Sequence, residues 1–214
     1  MTLSFQLRRP IRFDAYTIEE SLAHILVNEV AKRKPRVIVE FGSGLSTVLM
    51  AKVIEVVGFE CKFLSFEEDE RYKKRTDAWL KAEGLAERAN VVHAPIDYEC
   101  EVPWYRGGNQ LLPLLPSENA FVFVDGPRSP GKIEHCRSQW IRMPGLWLTA
   151  YLWCQRGSAA IVDDTVRDAS TVERWKKEFH DAKWTDLGTE RGALLVESRE
   201  EPKTPDEDAI ASAA

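Results

Sequence analysis

Five short apolar runs alternate with stretches of helical period between residues 36 and 180. They are RVIVEF (36–41), CKFLSF (61–66), NVVHA (90–94), FVFVD (121–125) and SAAIVDD (158–164). Near-continuous apolar runs of this length suit strands buried on both faces of a sheet. Strands separated by helices are joined by crossovers, so the sheet is expected to be parallel with helices on both sides. Two later runs, AKWTDLG and GALLVES, are joined by Thr189-Glu190-Arg191 and read as a closing hairpin. It would add an antiparallel strand at or near the sheet edge. The expected class is α/β, a doubly wound, mostly parallel seven-stranded sheet with a C-terminal antiparallel hairpin.

Punctuation sets the helices. Thr17-Ile18-Glu19-Glu20 has capping-box spacing, with Thr17 as cap and Glu20 reaching back. Leu22, Ile25, Leu26 and Val30 then predict an amphipathic helix over 18–33, stopped by Pro35. A second helix follows the glycine turn at STVLMAKVIEV, and Asp69 caps a third over 70–81, with Gly84 past its end. Residues 132–154 read as helix bent near Pro144-Gly145, and 168–179 as an amphipathic helix using Val172, Trp175 and Phe179. Residues 95–118, with Trp104 and Tyr105, read as one long loop, a length often tied to function. Residues 1–16 are expected to form an arm, 17–199 a single domain, and the polar stretch 200–214 a disordered tail.

A chain of 214 residues suits one domain with a continuous core. Its net charge of −5 gives no general attraction for nucleic acid or an anionic membrane. Cys61, Cys100, Cys136 and Cys154 form no C-x-x-C pair and no zinc-ligand spacing with histidine, so they read as free thiols of a cytoplasmic protein. The N-terminus has no signal-peptide core, and the most lipid-like run, GLWLTAYLW (145–153), is too short to span a bilayer. The expected partner is a small molecule, with neither nucleic acid nor membrane. Trp140, Trp147 and Trp153 read as core or subunit interface, the latter in a homodimer.

Ligands of open parallel sheets bind beyond the carboxyl ends of the strands, where strand order reverses. Those ends carry Glu40 with its glycine turn, Glu67-Glu68, Ala94–Asp97, Asp125, and Asp163-Asp164. Gly42 and Gly44 let the backbone turn and approach a ligand, and the helix start beyond offers free N–H groups. Alone, Gly42-Ser43-Gly44 describes a plain strand-to-helix turn equally well. Glu67, 23 residues after Gly44, ends the next strand, where a carboxylate can accept both ribose hydroxyls. The plain alternative is an acidic helix start; strand-end register favours Glu67 over Glu68 for the ribose.

These residues resemble a known family. VIVEFGSGLST resembles the first motif of class I S-adenosylmethionine (SAM)-dependent methyltransferases, and FLSFEED the second. FVFVDGP and AAIVDD resemble the family's fourth and fifth strand ends, and the hairpin its reversed last strand. E-x-G-S-G-x-S-T together with V-D-G-P is similar to a branch of small uncharacterised bacterial methyltransferases. The resemblance covers about residues 17–198 and implies a Rossmann-like methyltransferase fold, SAM as cofactor and a small-molecule acceptor, with O-methylation the favoured reaction. It implies that Glu40, Gly42, Ser43, Gly44 and Ser46 hold the methionine part and that Glu67 binds the ribose. It further implies that Ala94 and Pro95 border the adenine and that Asp125 lies near the amino-acid end or the acceptor. Ser46 departs from a third glycine, which counts more against a dinucleotide than against SAM, because no pyrophosphate needs that approach.

Asp125, Asp163 and Asp164 are expected to converge. They resemble the acids of metal-dependent catechol-type O-methyltransferases, which implies Mg²⁺ or Ca²⁺ on Asp125, Asp163 and Asp164. The Asp-Asp pair and the Gly126-Pro127 that follows Asp125 depart from that pattern. Without a cation the acids would repel one another, so a proton or a partner such as Arg128, Lys132 or Arg167 is the alternative. Asp125 and Asp163 are the candidate catalytic groups, ahead of His93 and His135, and Trp104 and Tyr105 could cover an acceptor. An NAD-linked oxidoreductase and a non-catalytic ligand-binding or scaffold protein are the rival readings.

Overall fold

The structure is a computed structural model that describes residues 5–14, 17–107, 115, 119–128, 131 and 136–198. In chain order the elements are α1 (Glu20–Arg33), β1 (Val37–Phe41), α2 (Leu45–Val57), β2 (Lys62–Glu67), α3 (Glu70–Glu83) and β3 (Asn90–His93). A small hairpin, β4 (Ile96–Asp97) with β5 (Trp104–Tyr105), precedes β6 (Ala120–Val124). There follow α4 (Met143–Leu148), α5 (Ala150–Trp153), β7 (Ala159–Val162), α6 (Ala169–Glu178), β8 (Ala182–Asp186) and β9 (Leu194–Ser198).

The main sheet has seven strands in the order β3-β2-β1-β6-β7-β9-β8. The first five are parallel, and β9 runs antiparallel to both β7 and β8. The closing hairpin thus places β9 inside the sheet and β8 at its edge. The doubly wound α/β arrangement is the one the alternation of strands and helices predicts.

Side-chain parity builds two cores. Val37, Val39 and Phe41 face one side of β1 while Ile38 faces the other; Val122 and Val124 of β6 oppose Phe121 and Phe123 in the same way. Helices α1, α2 and α3 close the second core, and α4, α5, α6 and the small hairpin close the first. Every residue of β1 and β6 is buried, which is why these runs contain almost no polar residue.

Local expectations differ in three places. Helix α1 starts at Glu20 without a side-chain cap, because Thr17 pairs with Asp14: its hydroxyl accepts the Asp14 N–H at 2.8 Å. The neighbouring Glu19 carboxylate accepts the backbone N–H groups of Glu190 and Arg191 at 2.8 and 2.9 Å, a tertiary tie to the β8–β9 turn. In place of one bent helix, the described part of 132–154 contains a 3₁₀ turn at Ser138–Trp140 and two short helices. Pro144 sits in the first turn of α4, where its missing N–H costs nothing, so it starts a helix. The long loop contains the β4–β5 hairpin, held because Trp104 and Tyr105 are buried against Phe41. Asp69 does cap α3, accepting the Arg71 N–H at 2.8 Å, and Gly84 ends it in the left-handed conformation. Of the N-terminal arm, the Arg8 and Arg9 N–H groups donate to the Glu83 carboxylate. The tail over 200–214, Lys132 and His135 lie outside the described residues.

Candidate active site

The chain leaves β3 at one edge and returns at β6 beside β1, so the order reverses between β1 and β6. A cleft of about 260 Å³ opens there, bordered by Gly42 and Ser43 after β1 and by Asp125 and Gly126 after β6. The two turns touch. A Cβ added to Gly42, whose φ is +93°, would stand 3.0 Å from the Gly126 nitrogen. Their position is fixed by backbone bonds beyond the strand ends: Asp125 N–H donates to Phe41 O at 3.0 Å and Gly42 N–H to Phe66 O at 2.8 Å. A Cβ on Gly44 would meet nothing within 4 Å, so space beside this turn is open.

Glu40 lies below the turn. By parity it shares the α2 side of β1 with Ile38, and it has no exposed surface. Its two oxygens accept the hydroxyls of Ser46 at 2.5 Å and Thr47 at 2.6 Å, and Thr47 Oγ1 also accepts the Gly44 N–H at 2.9 Å. Burial pushes the Glu40 carboxyl up to about 7. Glu40 and Ser46 therefore brace the glycine turn from beneath. Thr47 is a third member that sequence reasoning missed; a hydroxyl beside an acid facing the same helix start was the signal.

Glu67 is nearly buried and also braces the turn: one oxygen accepts the Ser43 N–H and hydroxyl at 2.9 and 2.8 Å, the other the Asp69 N–H at 3.0 Å. Burial first, and the adjacent Glu68 charge second, raise its pKa to about 7. Glu68 accepts the Tyr105 hydroxyl at 3.2 Å and the Arg128 N–H at 2.9 Å. Both acids border the cleft. Ala94, buried, and Pro95, exposed, follow β3 and lie outside the cleft lining. His93 is exposed at the end of the sheet-edge strand. Trp153 is wholly buried in the core, Trp140 half-buried against it, and Trp147 about half exposed at 49%.

The structure brings the three aspartates together, with one oxygen of each within 4.8 Å of the others. It also supplies cations. Arg142 Nη2 lies 3.5 Å from Asp125 and 3.3 Å from Asp164, and its Nε lies 3.5 Å from Asp168. Arg167 pairs with Asp164 at 2.8 Å, as the sequence suggested it could, and Arg191 approaches Asp163 and Asp164 at 3.6 Å each. Arg142 and Arg191 were not anticipated; a lone cation in the apolar run IRMPGLWL was the available signal for Arg142. Burial raises the Asp125 pKa against the pull of Arg142. Asp163, with no exposed surface, is raised to about 7 by burial and then by the Asp125 and Asp164 charges. Only Asp125 and Asp164 of the three border the cleft.

No family model matches the sequence, and no curated protein matches it. Solved structures do resemble the fold. One is a cofactor-bound Rv0187 from MTB, with a TM-score of 0.62 and 18% identity over 88% of this chain and 84% of that one. An O-methyltransferase from Bacillus cereus in complex with SAH has a TM-score of 0.64 at 14% identity, covering 86% and 84%. The O-methyltransferase TomG from Streptomyces achromogenes, involved in tomaymycin synthesis and crystallised with SAM, has a TM-score of 0.63 at 15% identity, covering 86% and 82%. The chain therefore has the Rossmann-like fold of these two O-methyltransferases.

Proposed function

We propose that this chain is a SAM-dependent methyltransferase that methylates a hydroxyl oxygen of a small molecule. The observation that carries the reading is the place where Gly42 and Gly126 meet. It is a backbone cradle at the switch point, with acids on both flanks, in a fold shared with structures crystallised with SAM and SAH. The residues fit the cofactor. Gly44 leaves open space beside the turn, and Glu67 and Glu68 border the cleft with carboxylates for ribose hydroxyls. Glu40, Ser46 and Thr47 fix the cradle's shape.

Bound SAM supplies an activated methyl group; transfer breaks the S–CH₃ bond, leaves its electrons on sulfur and forms O–CH₃ on the acceptor. The chain aligns the two partners, which can account for much of the acceleration. Asp125 is the candidate base for the acceptor hydroxyl proton, since it borders the cleft and its raised pKa brings it closer to neutrality. Asp163 is too buried to meet an acceptor and serves by positioning: its Oδ1 accepts the Asp164 N–H at 2.6 Å. Four cysteines without a disulfide agree with a cytoplasmic setting, and no helix of the described residues is long and apolar enough to cross a membrane.

Calorimetry with SAM, SAH and NADH tests this reading. One site for SAM and SAH and none for NADH is the expected result. NADH binding, or no binding of either sulfur ligand, would sink it.

A further inference from the structure

A trio of carboxylates 4.8 Å or less apart has the donor chemistry of a hard divalent cation. In this molecule two of the trio, Asp125 and Asp164, are already bridged by protein. Arg142 is only 5% exposed, and its Nη2 is within ion-pair distance of both Asp125 and Asp164. Its Nη1 and Nε turn towards the Asp163 and Pro127 carbonyl oxygens at 3.3 and 3.4 Å, so the guanidinium is held on several sides. Asp164 takes the left-handed conformation, with φ of 55°, and so presents its carboxylate to Arg142, Arg167 and Arg191 together.

We propose that Arg142 is the resident cation of this cluster, occupying with Arg167 and Arg191 the place where a divalent metal would bind. Three guanidiniums face five carboxylates, those of Glu19, Asp125, Asp163, Asp164 and Asp168. A metal in contact with Asp125 and Asp164 would sit 2.0–2.6 Å from their oxygens, directly against the buried Nη2, and like charges there repel. The metal suggested by the resemblance to catechol-type enzymes therefore does not fit these residues. A guanidinium carries a permanent charge and directional N–H donors, so it holds the acids in place but leaves no open coordination position for an acceptor oxygen. Resting on the methyltransferase reading, this frees the acceptor from needing two vicinal oxygens and leaves activation of a single hydroxyl to Asp125.

The test is a Mn²⁺ titration of the full chain, read by the electron paramagnetic resonance signal of the free ion, with no SAM present. Its result is thus separate from the fate of the methyltransferase reading. Wild type should hold no Mn²⁺ at the cluster. A stoichiometric site that Asp164→Asn removes would overturn the proposal, whereas binding that Asp164→Asn leaves unchanged lies elsewhere and agrees with it. Arg142→Gln should gain one site at least roughly tenfold tighter than anything in wild type, and Asp164→Asn added to it should abolish that site. A folded Arg142→Gln that gains nothing would also overturn it. If that buried substitution prevents folding, the wild-type and Asp164→Asn titrations decide alone.

Discussion

Gly126 packs its backbone directly on that of Gly42: a Cβ on Gly126 would stand 2.8 Å from the Gly42 nitrogen and 2.5 Å from the Tyr105 hydroxyl. No real Cβ tolerates either distance, so one turn must move. Gly126→Ala is expected to lose about 1–3 kcal/mol by overpacking, visible as a lower urea midpoint at unchanged slope. Gly42→Ala adds a left-handed φ to the crowding and should cost at least about 1 kcal/mol. Both should weaken SAM binding. An alanine variant with wild-type stability and affinity would show that the two turns are not locked together.

Glu40 makes stability depend on pH. Its folded pKa of about 7 stands above the ordinary 4.5 because it is buried. Between those values the folded chain keeps a proton that the unfolded chain has released, so stability falls as pH rises through this window. The full penalty stands above about pH 7 and is of order 3 kcal/mol. Gln cannot ionise and still offers a carbonyl to Ser46 or Thr47. Glu40→Gln should therefore gain melting temperature relative to wild type as pH rises from 4.5 to 7, then hold a constant difference. Glu67 and Asp163, raised in the same direction, are present in both proteins and cancel. A difference independent of pH would contradict the assignment.

Asp125 should show a kinetic signature distinct from that of the cradle. On an acceptor found by screening, Asp125→Asn should lower kcat by about 10²–10⁴-fold, the usual range for loss of a general base. The SAM dissociation constant should change little, because the cradle bonds of Glu40 and Glu67 are untouched. Unchanged kcat would remove Asp125 as the base, and a loss confined to SAM affinity would move it to the cofactor's amino-acid end.

The sheet was legible because burial on both faces leaves a plain mark: β1 and β6 could hardly be anything but central strands. The strand-end acids were legible for the same topological reason. What each acid does was less so. Parity along β1 sends Glu40 under α2 and away from the cleft, but the partners that brace the turn through it, Ser46 and Thr47, depend on helix docking. Arg142 was missed because its partners lie 17 and 22 residues away in sequence, on two different strand ends. Thr17 failed as a cap because its hydroxyl pairs with Asp14, and Glu19, which stands at the cap position instead, has its carboxylate tied to the β8–β9 turn, a tertiary tie that local spacing does not record.

Trp175 ties the site to the core. It has no exposed surface, and its indole N–H donates to the Met143 carbonyl at 2.9 Å, one residue after Arg142. It therefore pins α6 and the start of α4 together on the sheet. Trp175→Ala removes a buried ring and its hydrogen bond, at an expected cost of about 3–5 kcal/mol, a large part of a stability of about 5–15 kcal/mol. Trp175→Phe keeps most of the ring and loses the hydrogen bond, so its cost should be nearer 1–3 kcal/mol. Urea denaturation orders the three proteins. If Phe destabilises as much as Ala, the bond to Met143 outweighs the packing; if neither does, α4 is held on the sheet by other contacts.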